Sequence, residues 1–389
     1  MSRRSKREYL DEIHERYKRA SRREKTAILD EFCSVCGYHR KHALRLLRAR
    51  SRHRRPEPRR KGRAPVYHAA ALLKPLRRIW LAANLPCSKR LKALLPLWLP
   101  FYDGTMADDV CTSLLSMSPS TMDRLLGPVR ARHRGRGRCA TKPGTLLRHH
   151  IPVKTNQWDE SKPGFVEADT VAHCGTSMAG SFAFSLDCVD IATGWTEQRA
   201  VWGKGETDVL LKVRDIEATL PFPLLGFDSD NGSEFLNHHL FRHFAERKAP
   251  VQFTRSRAYH KDDNAHVEQK NWTHIRQWLG YSRMDNPEVV PLLNDLYTKE
   301  WRLFHNFFCP SVKLVSKERI ASKTVKRYDK PKTPYQRVME SEHIEKSVKQ
   351  RLTDQLRTLN PFVLRRAMET KINAVFQVCS RKPESTTLR

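Results

Sequence analysis

The middle third of the chain changes from helical periodicity to alternating apolar and polar residues, and the order of elements there limits the possible folds. Three consecutive stretches alternate with period two and are rich in strand-forming residues: GFVEADTVAHC, SFAFSLDCVDIATGW and TEQRAVWG. Beyond them the sequence predicts a helix at 208–220, a strand at 224–228, a helix at 236–247, a strand at 251–254 and a helix at 263–279. This order predicts an α/β fold with a mixed sheet and flanking helices.

Acidic residues stand at three comparable points of these elements. Asp169 lies in the first strand, Asp230 just beyond the fourth strand, and Glu268 in the first turns of the last helix. If strands one and four are parallel neighbours, their acidic residues converge, and the last helix can pack its N-terminal half across them. Phosphoryl transfer needs such convergence, because two Mg²⁺ ions held by a few carboxylates stabilise the attacking and the leaving oxygen. The sequence therefore predicts a two-metal site at these residues.

Three neighbouring carboxylates have alternative interpretations. Asp228 and Asp230 lie on the same face of a strand, so alternation alone does not choose between them. Glu167 shares the face of Asp169 and is expected to face solvent or to support the site. Glu234 follows an Asn-Gly turn at the start of a helix, where a carboxylate is favoured by the helix dipole.

Charge is distributed unevenly along the chain. The 389 residues include 72 Lys and Arg against 42 Asp and Glu, a formal net charge of +30, yet residues 164–290 hold 13 basic and 18 acidic side chains. Basic arms around an acidic centre predict a nucleic-acid partner, because phosphate neutralisation by Lys and Arg drives binding. The sequence contains no apolar run of about 18 residues, which argues against a membrane protein. Nine cysteines without regular spacing indicate free thiols in the cytoplasm.

Residues 1–50 are predicted to form three short helices. Two apolar stripes with helical spacing precede Gly37, and a basic helix over 38–48 follows it. This arrangement is typical of a helix-turn-helix DNA-binding module, with a helical bundle that does not read DNA as the alternative. The candidate contacts to the major groove or to phosphates are Arg40, Lys41 and Arg45.

Four residues in this region have side chains of the types that bind zinc. Cys33 and Cys36 form a CxxC pair, which is followed by His39 and His42. The same residues fit the turn and the third helix of a helix-turn-helix without a metal, so no zinc site is predicted.

Composition divides the rest of the chain into further segments. Residues 51–66 and 132–160 are basic linkers, and residues 67–131 between them form a second helical, helix-turn-helix-like module. Ser118 or Ser120 is expected to cap the last helix of that module, which has Pro119 in its first turn. The core occupies 161–285. The basic tail, 286–389, is expected to be mainly helical, with an irregular stretch KTVKRYDKPKTPYQRV and helices at about 341–357 and 361–376.

The core resembles the transposase and retroviral-integrase family, which carries an Asp, Asp, Glu catalytic triad on a ribonuclease-H-like fold. The resemblance rests on VEADTVAHCG, FDSDNGSEF and YHKDDNAHVEQKNW, and covers about 164–280. The 37 residues between Asp230 and Glu268 are close to the family's spacing. In that family the second Asp directly precedes Asn-Gly, which selects Asp230 over Asp228. Many members have Lys or Arg seven residues after the Glu, where this chain has Ile275, so that basic contact stays unassigned. Near Glu268 the candidate DNA contacts are Asn264, Lys270 and Asn271.

The resemblance implies a DNA transposase of a bacterial insertion sequence. Such a protein would bind the terminal inverted repeats of its element, cleave the ends and transfer the 3′-hydroxyl strands into target DNA. Two Mg²⁺ (or Mn²⁺) ions would be held by Asp169, Asp230 and Glu268. Its partners would be double-stranded DNA and, by analogy, further copies of itself in a homodimer or higher oligomer, at the nucleoid in the cytoplasm. The alternatives are a sequence-specific DNA-binding protein with an inactive core and a ribonuclease-H-like nuclease.

Overall fold

The computed structural model describes residues 1–48, 67–131, 161–230, 232, 234–255, 265–320 and 323–380. The chain divides into two compact units, Met1–Val66 and Tyr67–Arg389. The two expected basic linkers, 51–66 and 132–160, fall outside the described residues, as does Asn264. Among the described residues, none of the helices combines the length and the apolar character that crossing a lipid bilayer requires.

The first unit contains three helices: α1 Arg3–Arg19, α2 Arg22–Cys36 and α3 Arg40–Arg48. Helix α2 begins with a capping box, in which Ser21 and Glu24 each accept a backbone N–H of the other, and it ends at Gly37. Gly37 adopts the left-handed conformation (φ 64°) that glycine tolerates best, which closes the helix as the sequence predicts. Residues from all three helices share one buried core around Phe32.

A second group of helices opens the larger unit. It comprises α4 Ala69–Ala82, α5 Ser88–Trp98, a 3₁₀ turn Leu99–Phe101, α6 Asp108–Ser116 and α7 Pro119–Arg130. The hydroxyl of Ser118 accepts the N–H of Thr121 and Pro119 occupies the first turn, so Ser118 is the cap of α7.

The predicted mixed sheet is confirmed. Its strands are β1 Phe165–Ala172, β2 Ala183–Asp190, β3 Thr196–Trp202, β4 Gly226–Ser229 and β5 Gln252–Arg255. They lie in the order β3-β2-β1-β4-β5. The pairs β1–β2 and β2–β3 are antiparallel, whereas β1–β4 and β4–β5 are parallel. Helix α8, Glu206–Thr219, lies between β3 and β4 in the chain. Helix α9, His238–Ala245, connects β4 to β5, as a parallel pair requires.

The segment after β5 forms one nearly continuous helix. It begins as α10 Ala265–Lys270, widens into a π-helix over Asn271–Arg276 and ends as α11 Gln277–Leu279. A second long helix follows, made of α12 Val289–Leu296, a π-helical turn Tyr297–Trp301 and α13 Arg302–Phe308.

The tail differs from the sequence-based expectation. It forms the antiparallel hairpin β6 Leu314–Ile320 and β7 Lys323–Tyr328, followed by α14 Pro334–Glu340, α15 Lys346–Arg357 and α16 Pro361–Ser380. The stretch KTVKRYDKPKTPYQRV is therefore not irregular, and the prediction was wrong there. The strand-forming residues of β7 stand among many charged residues, so the sequence pattern does not indicate a strand. The strand also depends on pairing with β6. Asp329 fixes the end of the hairpin by accepting the Lys313 N–H at 2.7 Å and by pairing with Arg337 at 2.5 Å.

The two faces of the sheet are covered by different helices. Val171 and Ala200 belong to a core shared with the α4–α7 group and with α12–α16, whereas α8 and α9 cover the other face. Trp98 shows how the first of these cores is joined: its indole N–H donates to the Phe308 carbonyl at 3.1 Å, and its ring packs edge-on against Phe304 and Phe362. The expected boundaries at 131/132 and 285/286 thus lie inside the second unit, whose parts share this core.

Candidate active site

Asp169 lies in β1, Asp230 lies one residue beyond the end of the neighbouring parallel strand β4, and the two carboxylates interact electrostatically. The register pairs Ala168 with Ser229, so each aspartate is one residue beyond that pair. Burial, followed by the charge of Asp230, raises the pKa of Asp169 to about 7. Burial, followed by the charge of Glu234, raises the pKa of Asp230. Lys204 lowers the pKa of Asp230 but does not cancel this rise, and a divalent ion would relieve the remaining repulsion between the carboxylates.

Two hydrogen bonds orient the carboxylate of Asp169. The Thr170 N–H donates to Oδ1 at 2.7 Å, and the Asn271 amide donates to Oδ2 at 2.6 Å. Asn271 opens the π-helical segment after α10, so the last helix does pack across β1 as the sequence predicts. The role predicted for Asn271 is a DNA contact, and in this structure its amide donates to Asp169.

Glu167 anchors the beginning of that same helix. Its side chain is 1% exposed, and its Oε2 accepts the N–H groups of His266 at 3.0 Å and of Val267 at 3.1 Å. A carboxylate at a helix N-terminus satisfies N–H groups that have no partner within the helix and interacts favourably with its dipole. Of the two roles expected for Glu167, the structure excludes the solvent-facing one and places the residue under the site.

Glu234 is the carboxylate next to Asp230. It is 1% exposed, accepts the Thr170 hydroxyl at 2.7 Å and forms an ion pair with Lys204. A Cβ on Gly232 would lie 2.6 Å from Glu234 Oε2 and 2.8 Å from Asp230 Oδ1, so a glycine is needed for the two side chains to approach. The sequence-based role at a helix start was wrong, since Glu234 precedes α9 and Asn237 caps that helix. The sequence signal that could have placed Glu234 beside Asp230 was its position four residues later in the chain.

A row of polar side chains continues from Asp169 across the sheet. Asp187 is the cross-strand partner of Asp169, and Gln198 pairs with Asp187 in turn and donates to its Oδ1 at 2.9 Å. Burial raises the pKa of Asp187 to about 8. Lys270 lies near Asp187 and is 5% exposed, and burial lowers its pKa to about 8. Lys270, whose ammonium group is expected to contact DNA, thus lies in the interior of this structure.

The comparisons with known proteins identify one relative. No protein-family profile matches the chain. The uncharacterized protein y4rM of Sinorhizobium fredii (strain NBRC 101917 / NGR234) is 40% identical over 335 residues, which cover 85% of this chain and 94% of that protein. The chain belongs to the y4rM family.

Among solved structures, the chain is weakly similar to the catalytic core domain of BIV integrase in crystal form I. That match has a TM-score of 0.28 at 15% identity, and it covers 46% of this chain and 96% of that one.

The third predicted carboxylate of the y4rM family member does not join the pair. Glu268 lies in the first turn of α10 and is exposed, and it forms no hydrogen bond or ion pair with another described residue. Within the described ranges, no group of three acidic, His or Cys side chains is arranged to hold a metal ion. Asp169 and Asp230 offer the hard oxygen ligands that suit Mg²⁺, so the residues present fit such an ion through this pair. Asp228 is separate: it is fully buried and accepts the Thr254 hydroxyl at 2.5 Å.

The candidate DNA contacts of the first unit lie on the surface of α3. The side chains of Arg40, Lys41 and Arg45 are exposed. Arg40 pairs with Asp30 at the surface, and Arg45 contacts the ring of His42 at 2.9 Å. Exposed pairs of this kind hold side chains weakly, so these cations remain accessible to a polyanion.

Proposed function

We propose that this protein is a DNA transposase of the Asp-Asp-Glu, integrase-like type. It would bind the terminal inverted repeats of its own insertion sequence, cleave the ends and transfer the 3′-hydroxyl strands into target DNA. The proposal includes the ribonuclease-H-like assignment of the sheet and the helix-turn-helix role of the first unit. The protein would assemble as a homodimer or higher oligomer, because two DNA ends must be joined in one event. It would act at the nucleoid of a bacterial cell.

The observation that carries the proposal is the convergence of Asp169 and Asp230. They lie one residue beyond a parallel register pair, and burial and charge raise the pKa of both. A purely structural role does not need two half-buried, mutually repelling carboxylates, and perturbed groups of this kind concentrate at functional sites. The net charge of +30 is a second supporting observation, because it favours binding to a polyanionic partner.

The chain's own residues would have distinct tasks in this reaction. Asp169 and Asp230 would hold Mg²⁺ (or Mn²⁺), two ions per site, and Glu268, which stands apart from them in this structure, would complete the ligand set once DNA is bound. When bound, such ions activate water or a 3′-hydroxyl and stabilise charge on the phosphate oxygens. Asn271 would keep the Asp169 carboxylate oriented, and Glu167 would keep the start of α10, and with it Glu268, against the sheet.

A second candidate function rests on a specific observation. Glu268 is exposed and stands apart from Asp169 and Asp230, and this favours a DNA-binding protein whose core does not cut. The observation against it is the pair of half-buried aspartates, Asp169 and Asp230, with raised pKa values.

Strand-transfer assays separate these functions. The substrate is a duplex that carries one end of the element, taken from inverted repeats that flank the coding region, and it is incubated with the full chain, Mg²⁺ and a target plasmid. A transposase joins the end to the plasmid, whereas a nuclease only cuts and a DNA-binding protein gives no product. Absence of both cut and joined DNA under conditions where the duplex is bound would overturn the proposal.

A further inference from the structure

A pocket of about 320 Å³ with both polar and apolar walls lies in the second unit, and its lining includes neither Asp169 nor Asp230. Its walls come from the loop between α4 and α5, from the start of α5, from one side of the α10–α11 helix and from the end of α13. Exposed residues such as Cys87 and Gln277 lie at its rim, and buried ones form its floor. The pocket is therefore open to solvent with a buried polar end.

Two basic side chains in this pocket contact no acidic side chain of the part of the chain that the structure describes. Arg90 is half-buried, and Lys270 is 5% exposed. Neither forms an ion pair with a described residue, and the one hydrogen bond of Lys270 recorded there is a long contact of 3.4 Å with the ring of His274. Asp187 acts on Lys270 electrostatically from β2 but lies beyond ion-pair distance. Buried positive charge without a bonded counter-charge is costly, so a bound anion would stabilise it.

The buried end of the pocket also holds unpaired histidine nitrogens. The rings of His274 and His305 stack at 3.9 Å, and both residues are more than nine-tenths buried. Among the described residues, both ring nitrogens of His305 and Nδ1 of His274 have no hydrogen-bond partner. Burial lowers the pKa of both rings well below the ordinary value, so each is neutral and offers one N–H donor and one acceptor nitrogen.

We propose that this pocket binds a phosphate group. Arg90 and Lys270 supply positive charge, and His274 and His305 supply hydrogen bonds. A hydrogen phosphate or phosphate ester combines acceptor oxygens with negative charge and matches these donors. The volume exceeds that of a phosphate ion, which leaves room for part of the molecule that carries it. Binding here does not require DNA cleavage at Asp169 and Asp230, so the site stands or falls independently of the proposed reaction.

The test uses the full chain and inorganic phosphate. Binding is measured by calorimetric titration and by the shift in Tm, against sodium chloride at equal ionic strength. We expect Arg90→Gln and His305→Phe to weaken phosphate binding by about tenfold or more, because charge-assisted hydrogen bonds are lost. His305→Phe keeps an aromatic ring stacked on His274, and its Tm without phosphate checks that it folds.

The matched control is Lys89→Gln, which removes the same charge from an exposed neighbour of Arg90 on α5. It should change phosphate binding by less than about twofold, since exposed charges act weakly. The proposal is overturned if phosphate stabilises the wild type no more than chloride does, or if both pocket variants bind as Lys89→Gln does. A duplex oligonucleotide added at saturation identifies the source: loss of phosphate binding assigns the pocket to a DNA phosphate, and unchanged binding assigns it to a free or small phosphate.

Discussion

Asn271 donates a hydrogen bond of 2.6 Å to Asp169 across 102 positions of sequence, and this contact joins the last helix of the core to its first strand. The amide favours the charged carboxylate and so opposes the rise in the pKa of Asp169 that burial causes. The donor thereby keeps a buried carboxylate oriented and available as a ligand.

Asn271→Ala tests whether the residue supports Asp169 or contacts DNA. We expect cleavage to fall by about 10- to 100-fold and more Mg²⁺ to be needed for half-maximal rate, because residues that orient metal ligands have effects of this size. Affinity for the terminal repeat, measured by fluorescence anisotropy, should stay within about twofold. Weaker DNA binding with an unchanged Mg²⁺ requirement would instead support the direct DNA contact predicted from the sequence.

Asp230→Asn should abolish cleavage while the DNA is still bound. The substitution keeps the shape of the side chain but removes a charged oxygen ligand, and a loss of several kcal/mol of stabilisation corresponds to about a 1000-fold slower reaction. Cleavage of an end-labelled duplex and anisotropy with the same duplex give the two readings. Asp208→Asn, an exposed position on α8, is the matched control and should cleave at the wild-type rate. Mg²⁺-dependent cleavage by Asp230→Asn would show that a different carboxylate binds the metal.

Glu268→Gln separates the catalytic interpretation of this residue from a surface one. Since Glu268 is exposed and unpaired among the described residues, the change should leave Tm within about 1 °C of the wild type. If Glu268 completes the ligand set on DNA binding, cleavage should fall by about 1000-fold. Wild-type cleavage by this variant would exclude Glu268 and point to Glu234, the buried acid next to Asp230.

The sheet could be predicted from the sequence because its signals are local. Period-two alternation and turn residues mark β1 to β3, and the helix–strand alternation after them implies parallel pairs with β4 and β5. The convergence of Asp169 and Asp230 follows from that topology. The roles of Glu167 and Glu234 could not be predicted, because each depends on a partner that is distant in sequence. Glu167 contacts the N-terminus of α10, about 100 positions away. Glu234 accepts the Thr170 hydroxyl, 64 positions away. The hairpin β6–β7 was missed for a related reason, since a highly charged strand becomes recognisable only beside its partner.

The pH dependence of stability tests the buried state of Asp169 without any DNA. Its pKa is near 3.8 in an unfolded chain and about 7 in the folded protein, so the folded state holds the proton more tightly. Below pH 3.8 Asp169 is protonated in both states, so it does not change the free energy of unfolding. Between about pH 4 and 7 the unfolded state releases its proton first, and the free energy of unfolding falls as pH rises.

Asp169→Asn removes this dependence. In EDTA, urea unfolding should show the wild type losing up to about 4 kcal/mol relative to Asp169→Asn across that window. Asp190 also has a raised pKa but remains in both proteins, so the difference between the two curves reports Asp169 together with the acids that it interacts with, Asp230 and Asp187. Added Mg²⁺ should restore stability to the wild type above pH 7 and have a smaller effect on Asp169→Asn, since a cation bound by the charged pair opposes their repulsion. Parallel curves for the two proteins, with and without Mg²⁺, would mean that Asp169 is hydrated and unperturbed, and the electrostatic basis for a metal site at this pair would be lost.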